Sequence, residues 1–149
     1  MDLPEALISE VQGGRVVLLL GAGASFDAKT PNGKSPLSAL GLRDALSQRF
    51  LGGEFGEEQL VWVSELAASE AGLGRVQDFV ADQFKELDPA AFHLGLPEFR
   101  WHGIATTNYD RIVEKAYESV EDRVQELVPF ISNDDRIDEK LRSPDQVPL

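Results

Sequence analysis

The chain has 149 residues, of which 42% are hydrophobic and 27% are charged, so it can bury a core as one domain or as part of a larger one. Its 26 acidic residues outnumber its 14 basic residues, and the formal net charge of −12 argues against a surface that follows nucleic-acid phosphates. The absence of cysteine excludes disulfides, thiolate zinc sites and cysteine nucleophiles, and no apolar run is long enough for a membrane span. We therefore expect a cytoplasmic protein that contacts neither nucleic acid nor membrane and holds no metal.

The first part of the chain is predicted to form a helix, a strand and the start of a second helix. Apolar residues at helical spacing predict a short first helix that ends at Gly13 and Gly14. The continuous apolar run of residues 16–20, bounded by glycines, predicts a buried strand of a parallel sheet. Residues 22–28 are predicted to begin a helix, and the prolines and the Asn-Gly pair that follow them predict a loop.

Helical spacing dominates the middle of the chain, from about residue 42 to residue 96. A second strand is predicted at residues 103–107, a helix from Ile112, and a third strand at residues 126–130. The polar tail, residues 132–149, is expected to lack a closing element and to be either weakly ordered or packed mainly against parts outside this chain. Strands that alternate with helices in this order predict an α/β protein, namely a Rossmann-like doubly wound parallel sheet with a helical insertion between its first two strands.

The sequence GAGAS, residues 21–25, directly follows the first predicted strand. In dinucleotide-binding folds such a strand feeds a glycine-rich turn that lets the backbone approach a pyrophosphate, and the next helix supplies N–H donors. The third glycine of the dehydrogenase pattern is Phe26 here, which weakens a hydride-transfer interpretation. The segment AKTPNGKS, residues 28–35, fits a relaxed P-loop pattern, but it begins well past the end of the strand. An ordinary structural turn at residues 21–25 remains the alternative.

The second predicted strand ends in TTNYD, residues 106–110, which brings hydroxyls, a carboxamide and a carboxylate together. Ligands of open α/β sheets bind beyond the carboxyl ends of the strands, where both motifs lie. The carboxamide of Asn108 can bond a ribose hydroxyl or orient a water, but it cannot act as a general base, and Asp110 can orient Asn108 or the ribose. The alternative is structural, with Asp110 as a helix cap and Asn108 as a turn residue.

The two motifs together resemble the sirtuin (silent information regulator) superfamily over residues 16–117. The form TTNYD is similar to that of the bacterial sirtuin-like NAD hydrolase domains of antiphage defence proteins. The resemblance implies that five residues contact the phosphates and adjoining ribose of NAD: Gly21, Ala22, Gly23, Ala24 and Ser25. It also implies that Thr107, Asn108 and Asp110 face the nicotinamide ribose. Of these, Asn108 and Asp110 are implied to be catalytic residues.

The activity implied by this resemblance is hydrolysis of NAD⁺ to nicotinamide and ADP-ribose, by an NAD-depleting effector that forms a homo-oligomer and has fused or partner sensor domains. The family's catalytic histidine follows the Asn-x-Asp motif, whereas His93 and His102 both precede Asn108 and are expected to be ordinary structural or surface residues. We therefore expect residues 1–149 to be the N-terminal part of a sirtuin-like NAD-binding domain in a longer chain. The alternatives are an NAD or ADP-ribose sensor module without catalysis and a sirtuin-type protein deacylase. Sirtuin deacylases often carry a four-cysteine zinc module, for which this sequence offers no support.

Overall fold

The structure is a computed structural model that describes residues 3–131 and 135–149. Its helices are α1 (Glu5–Gln12), α2 (Ala39–Phe50), α3 (Leu60–Ala71), α4 (Leu73–Phe84), α5 (Ile112–Ser119) and α6 (Ile137–Lys140). Its strands are β1 (Val17–Leu20), β2 (Gly103–Thr106), β3 (Glu126–Val128) and β4 (Gln146–Pro148), and two 3₁₀ turns span Ala22–Ser25 and His93–Glu98. None of the described helices is long and apolar enough to cross a bilayer. The chain divides into two compact units, one formed by Lys29–Leu87 and the other by the described residues on either side of that segment.

The prediction of a Rossmann-like doubly wound parallel sheet is wrong. The described residues form two separate parallel sheets of only two short strands each, β1 with β2 and β3 with β4, in a helix-rich chain. The burial of β1 gives the physical reason, because alternate residues of this strand differ in their exposure to solvent. Val17 and Leu19 are 58% and 72% exposed, so the apolar run is not the fully buried strand that a doubly wound sheet requires.

The pairing of β1 with β2 organises the unit that contains both motifs. Val17 lies opposite Gly103 and Leu20 lies opposite Thr106, so the carboxyl ends of the two parallel strands are side by side. The hydrogen bond from Thr107 N to Leu20 O, at 3.1 Å, continues the pairing one residue further. One face of this ladder packs into the main core of the unit, whose residues include Leu18, Leu20, Leu96, Trp101, Ile104, Val113, Tyr117 and Val147.

The tail of the chain was expected to lack a closing element, and this expectation is wrong for β4, which pairs with β3 in parallel. Val147 is fully buried in the core of the unit. The side chain of Gln125 connects the segment just before β2 to β4, because its Oε1 accepts a hydrogen bond of 2.7 Å from Trp101 N and its Nε2 donates to Gln146 O at 3.5 Å. Residues 132–134 of the predicted tail lie outside the described residues.

The unit Lys29–Leu87 consists mainly of the helices α2, α3 and α4, and the helical spacing predicted for this segment is confirmed. The Oγ atom of Ser38 caps α2 by accepting a hydrogen bond from Gly41 N. Gly72 separates α3 from α4 with a φ angle of +89°, a conformation that side-chain-bearing residues rarely adopt. The apolar faces of the three helices supply the buried residues Leu42, Leu46, Val63, Ala67, Val76, Val80 and Phe84.

Tyr117 on α5 is unusual among the core residues because it buries a polar atom without a partner. The side chain is 3% exposed, and its hydroxyl has no hydrogen-bond partner among the described residues. Such a group destabilises a fold by about 1–3 kcal/mol relative to a satisfied one. Burial disfavours the phenolate and raises the pKa of Tyr117 to about 12.

This shift predicts that folding stability falls as the pH rises from about 10, the ordinary tyrosine pKa, to about 12. Below pH 10 the hydroxyl is protonated in both states, whereas above it the unfolded chain loses the proton first. Melting temperatures measured from pH 9 to pH 12 should therefore fall less steeply for Tyr117→Phe than for the wild type. The chain has two tyrosines, so the absorbance titration of Tyr109→Phe at alkaline pH isolates Tyr117, and a midpoint near 10 would contradict the assignment.

Candidate functional site

The structure brings the GAGAS and TTNYD motifs into direct contact through Asn108. The Nδ2 atom of Asn108 donates hydrogen bonds to Gly21 O at 3.0 Å and to Ser25 Oγ at 2.9 Å. Because a carbonyl oxygen only accepts, the contact with Gly21 fixes which end of the carboxamide is the NH₂ group. The parallel register of β1 and β2 makes this contact possible, since it places residue 21 and residue 107 at adjacent strand ends.

Ser25 and Asp110 extend this contact into a chain of hydrogen bonds with one consistent direction. The buried hydroxyl of Ser25 accepts from Asn108 Nδ2 and donates to Asp110 Oδ2 at 2.6 Å. The other carboxylate oxygen, Asp110 Oδ1, accepts a hydrogen bond of 3.1 Å from Ile112 N at the start of α5. Asp110 therefore anchors the network to the first N–H of α5 from the residue before the N-cap, which is Arg111.

One polar atom of Asn108 is left for another partner. Its backbone N–H donates to Thr106 Oγ1 at 3.1 Å, and its Nδ2 is used twice, as described above. Its Oδ1 has no hydrogen-bond partner within residues 3–131 and 135–149, and the side chain is partly exposed. Thr107 lies next to it and is exposed. The arrangement presents a fixed acceptor at the carboxyl ends of both strands.

The segment after Gly21 forms one 3₁₀ turn, Ala22–Ser25, so the helix predicted to begin within residues 22–28 is present only as this single turn. Ala24 N donates to Gly21 O at 2.8 Å, and Phe26 N donates to Gly23 O at 3.3 Å. Pro31 follows closely and cannot supply the N–H that a continuing helix needs. The site therefore lacks the dipole of a long helix. The first N–H group that donates within the turn is that of Ala24, so the N–H groups of Ala22 and Gly23 make no hydrogen bond within the turn.

The internal structure does not require glycine at residue 21 or residue 23. Gly21 has an extended backbone, and neither residue has a positive φ angle. A Cβ atom placed on Gly21 or on Gly23 meets no described atom within 4 Å, and both residues are exposed. Gly14 shows the opposite case, with a φ angle of +65° and a Cβ position 2.9 Å from Arg100 Cγ. Open space beside Gly21 and Gly23 fits the close backbone approach that a pyrophosphate needs.

His93 holds the other side of the same turn. Its Nδ1 accepts a hydrogen bond of 2.8 Å from Ala90 N, so its Nε2 carries the proton and donates to Ala24 O at 2.6 Å. The residue is 2% exposed, which confirms the expectation of a structural histidine. Sequence reasoning did not predict its contact with the turn, because 69 residues separate His93 from Ala24 and no motif links them.

His102 lies at the opposite end of the β1–β2 ladder from Asn108. Its backbone N–H donates to Val16 O at 2.9 Å, just before β1 begins, and the residue is exposed. The expectation that His102 is an ordinary structural or surface residue is confirmed. Within the described residues, neither histidine presents a free ring nitrogen to Asn108.

No protein-family model and no curated protein matches this chain. Among the described residues, no group of three or more histidine, aspartate or glutamate side chains is arranged to hold a metal ion. The functional interpretation therefore depends on the geometry of the glycine turn and the Asn108 network.

Replacing His93 with alanine should destabilise the unit by about 2–4 kcal/mol, because the change leaves a cavity and two partly buried backbone groups without partners. His102→Ala is the matched control and should change stability by less than about 0.5 kcal/mol, since its side chain is exposed. Urea denaturation of both variants measures the difference. Equal stabilities would show that His93 does not hold the turn.

Proposed function

We propose that the turn at residues 21–25 and the side chain of Asn108 form an NAD⁺ site, and that the bond between nicotinamide and ribose is hydrolysed there to give nicotinamide, ADP-ribose and a proton. The observation that carries this proposal is the pair of exposed glycines at residues 21 and 23, whose missing side chains are explained neither by backbone conformation nor by crowding. A ligand that approaches the backbone closely supplies the missing reason.

The turn would hold the pyrophosphate through backbone donors. The N–H groups of Ala22 and Gly23 are unused by the turn, and amides can bind an anion without a basic side chain. Hydrogen bonds from Asn108 to Gly21 and from His93 to Ala24 fix the turn on both sides. A turn fixed in advance loses less conformational entropy when a ligand binds.

Asn108 would act on the nicotinamide ribose through its free Oδ1. Departure of nicotinamide develops oxocarbenium character at the anomeric carbon, and an acceptor held on a ribose hydroxyl stabilises and orients that sugar. The amide orientation is fixed by Gly21 and Ser25, and Asp110 holds Ser25 in turn. Asn108 is thus the residue proposed to touch the substrate, and Asp110 is a positioning residue.

The biological role that goes with this activity is depletion of NAD⁺ in bacterial antiphage defence, by a homo-oligomer with fused or partner sensor domains. This part of the proposal rests on the similarity of GAGAS and TTNYD to sirtuin-like defence domains. The deacylase alternative has less support, because the chain contains no cysteine for the family's zinc module.

A second candidate function is NAD⁺ or ADP-ribose binding without catalysis. It is favoured by the histidines, because both ring nitrogens of His93 are engaged by backbone groups and His102 lies at the far end of the ladder. Calorimetric NAD⁺ binding together with an assay of nicotinamide release separates the two functions. Binding without release supports the sensor function, and release supports the hydrolase.

Gly23→Val should lower NAD⁺ affinity at least about tenfold, since a branched side chain would occupy the space proposed for the pyrophosphate. The fold should persist, because a Cβ atom at this residue meets no described atom within 4 Å. Gly56→Val is the matched control, because Gly56 also faces open space but lies in the other unit. Calorimetry of both variants, with circular dichroism for folding, tests the assignment. Unchanged affinity in Gly23→Val would remove the turn from the site.

Asn108→Ala should lower the rate of nicotinamide release by about 100-fold, or roughly 3 kcal/mol of transition-state stabilisation, while NAD⁺ binding weakens much less. Ser25→Ala is the control for stability, because it also removes hydrogen bonds of the network but keeps the Asn108 carboxamide. Turnover and melting temperature are measured on the same preparations. If both variants lose stability to a similar extent and keep normal turnover, Asn108 is only a turn residue.

A further inference from the structure

Strand β1 has one edge with which no described strand pairs. The carbonyl oxygens of Val16 and Leu20 accept hydrogen bonds from the backbone N–H groups that flank β2, so these two residues face β2. Because the backbone groups of successive residues in a strand point to opposite sides, those of Val17 and Leu19 point away from β2. Within residues 3–131 and 135–149 these groups have no hydrogen-bond partner. β1 therefore presents a row of N–H and C=O groups along an open edge.

The side chains of the same two residues are also exposed, on the face of the ladder opposite the core. Val17 is 58% exposed and Leu19 is 72% exposed. Ala105, which lies opposite Leu19 on β2, is exposed as well, whereas the alternate residue Leu18 packs against the core. An open strand edge beside an exposed apolar face is a template for pairing with another chain.

The edge also lacks the features that prevent such pairing in soluble proteins. Natural edge strands carry a lysine, a proline, a bulge or an inward-pointing charge. Residues 16–26 contain no charged residue and no proline, and the register of β1 with β2 is continuous. Two copies of a chain with a net charge of −12 repel each other, and this repulsion is weakest where an uncharged segment forms the contact.

We propose that the edge of β1 pairs with the same edge of a second copy of this chain, antiparallel about a two-fold axis at Leu18. In this register Val17 of one copy lies opposite Leu19 of the other, and the two residues exchange both of their N–H···O=C hydrogen bonds. Every outward-pointing backbone group of residues 17 and 19 is then satisfied in both copies. The strand is complementary to itself because these groups are arranged symmetrically about Leu18.

The same register suits the side chains. On the exposed face it brings Val17 of one copy against Leu19 of the other, which covers the two most exposed residues of the strand. It places Arg15 opposite Gly21, so no two charged residues meet across the edge. The pairing gives the homo-oligomer of the proposed function a specific contact, but it rests on the strand alone and needs no NAD⁺.

The test is sedimentation equilibrium of the full chain without NAD⁺, from low to high micromolar concentration. The chain should form a reversible dimer with a Kd in the micromolar range, because the paired segment is short. Leu19→Lys should raise this Kd at least about tenfold, since it places a charge in the contact. Val61→Lys is the matched control: Val61 is 62% exposed on α3 in the other unit, and this variant should dimerise as the wild type does.

Val17→Pro tests the backbone pairing itself. It removes an outward-pointing N–H group but none of the hydrogen bonds to β2, so it should also raise the Kd at least about tenfold, with little change in melting temperature. Hydrogen exchange followed by nuclear magnetic resonance tests the register. The amides of Val17 and Leu19 should exchange rapidly in dilute samples and slowly in concentrated ones, whereas the Leu18 amide, which faces β2, should be protected in both.

Three results would overturn the proposal. The first is a monomer at all concentrations, and the second is a dimer whose Kd neither Leu19→Lys nor Val17→Pro changes. The third is protection of the Val17 and Leu19 amides in dilute samples, because the edge would then be covered within a single chain. If Val17→Pro does not fold, Leu19→Lys still decides, since the Leu19 side chain is exposed and its replacement leaves the core intact.

Discussion

The contact between Asn108 and the glycine turn is the interaction on which the candidate site depends. A single NH₂ group bonds Gly21 O and Ser25 Oγ, so it ties the end of β2 to the segment that follows β1. This contact is possible only because β1 and β2 are parallel and in register, with Leu20 opposite Thr106. A slip of one residue would turn the Asn108 side chain to the other face of the sheet. The short ladder therefore determines the geometry of the site.

The turn is held from two directions by side chains of different kinds. The Asn108 network reaches α5 through Ser25 and Asp110, whereas His93 reaches the turn from a buried 3₁₀ segment. The hydrogen bonds of Ser25, Asp110 and His93 involve partly or fully buried groups, where an unpaired polar atom is costly, whereas the bond from Asn108 to Gly21 is exposed. The hydrogen bonds thus keep one conformation of a turn that has neither a long helix nor bulky side chains to stabilise it.

Sequence patterns predicted local structure better than they predicted the sheet. Helical spacing located α2 to α5, because a repeating apolar face is a property of neighbouring residues. The apolar run at residues 16–20 could not show which face of the strand other elements would bury. The exposure of Val17 and Leu19 depends on elements that are distant in the sequence. The same limit applies to β4, where Val147 is buried within a polar stretch. The meeting of the two motifs could be predicted, since parallel strands share one carboxyl edge, but the contact of His93 could not.

The strong negative charge of the chain constrains how an anionic dinucleotide could be held. Charges on exposed side chains are screened beyond a Debye length of about 8 Å at physiological ionic strength, so donors next to the ligand decide the binding energy. In the turn those donors are backbone amides, which carry no net charge and cannot be neutralised by a neighbouring carboxylate. The acidic carboxylate in the network, Asp110, bonds Ser25 and Ile112, so its charge is spread over donors of the protein. A dinucleotide site built from backbone amides is thus compatible with an acidic surface. In a site built from lysine and arginine, nearby carboxylates would compete with the dinucleotide for the positively charged side chains.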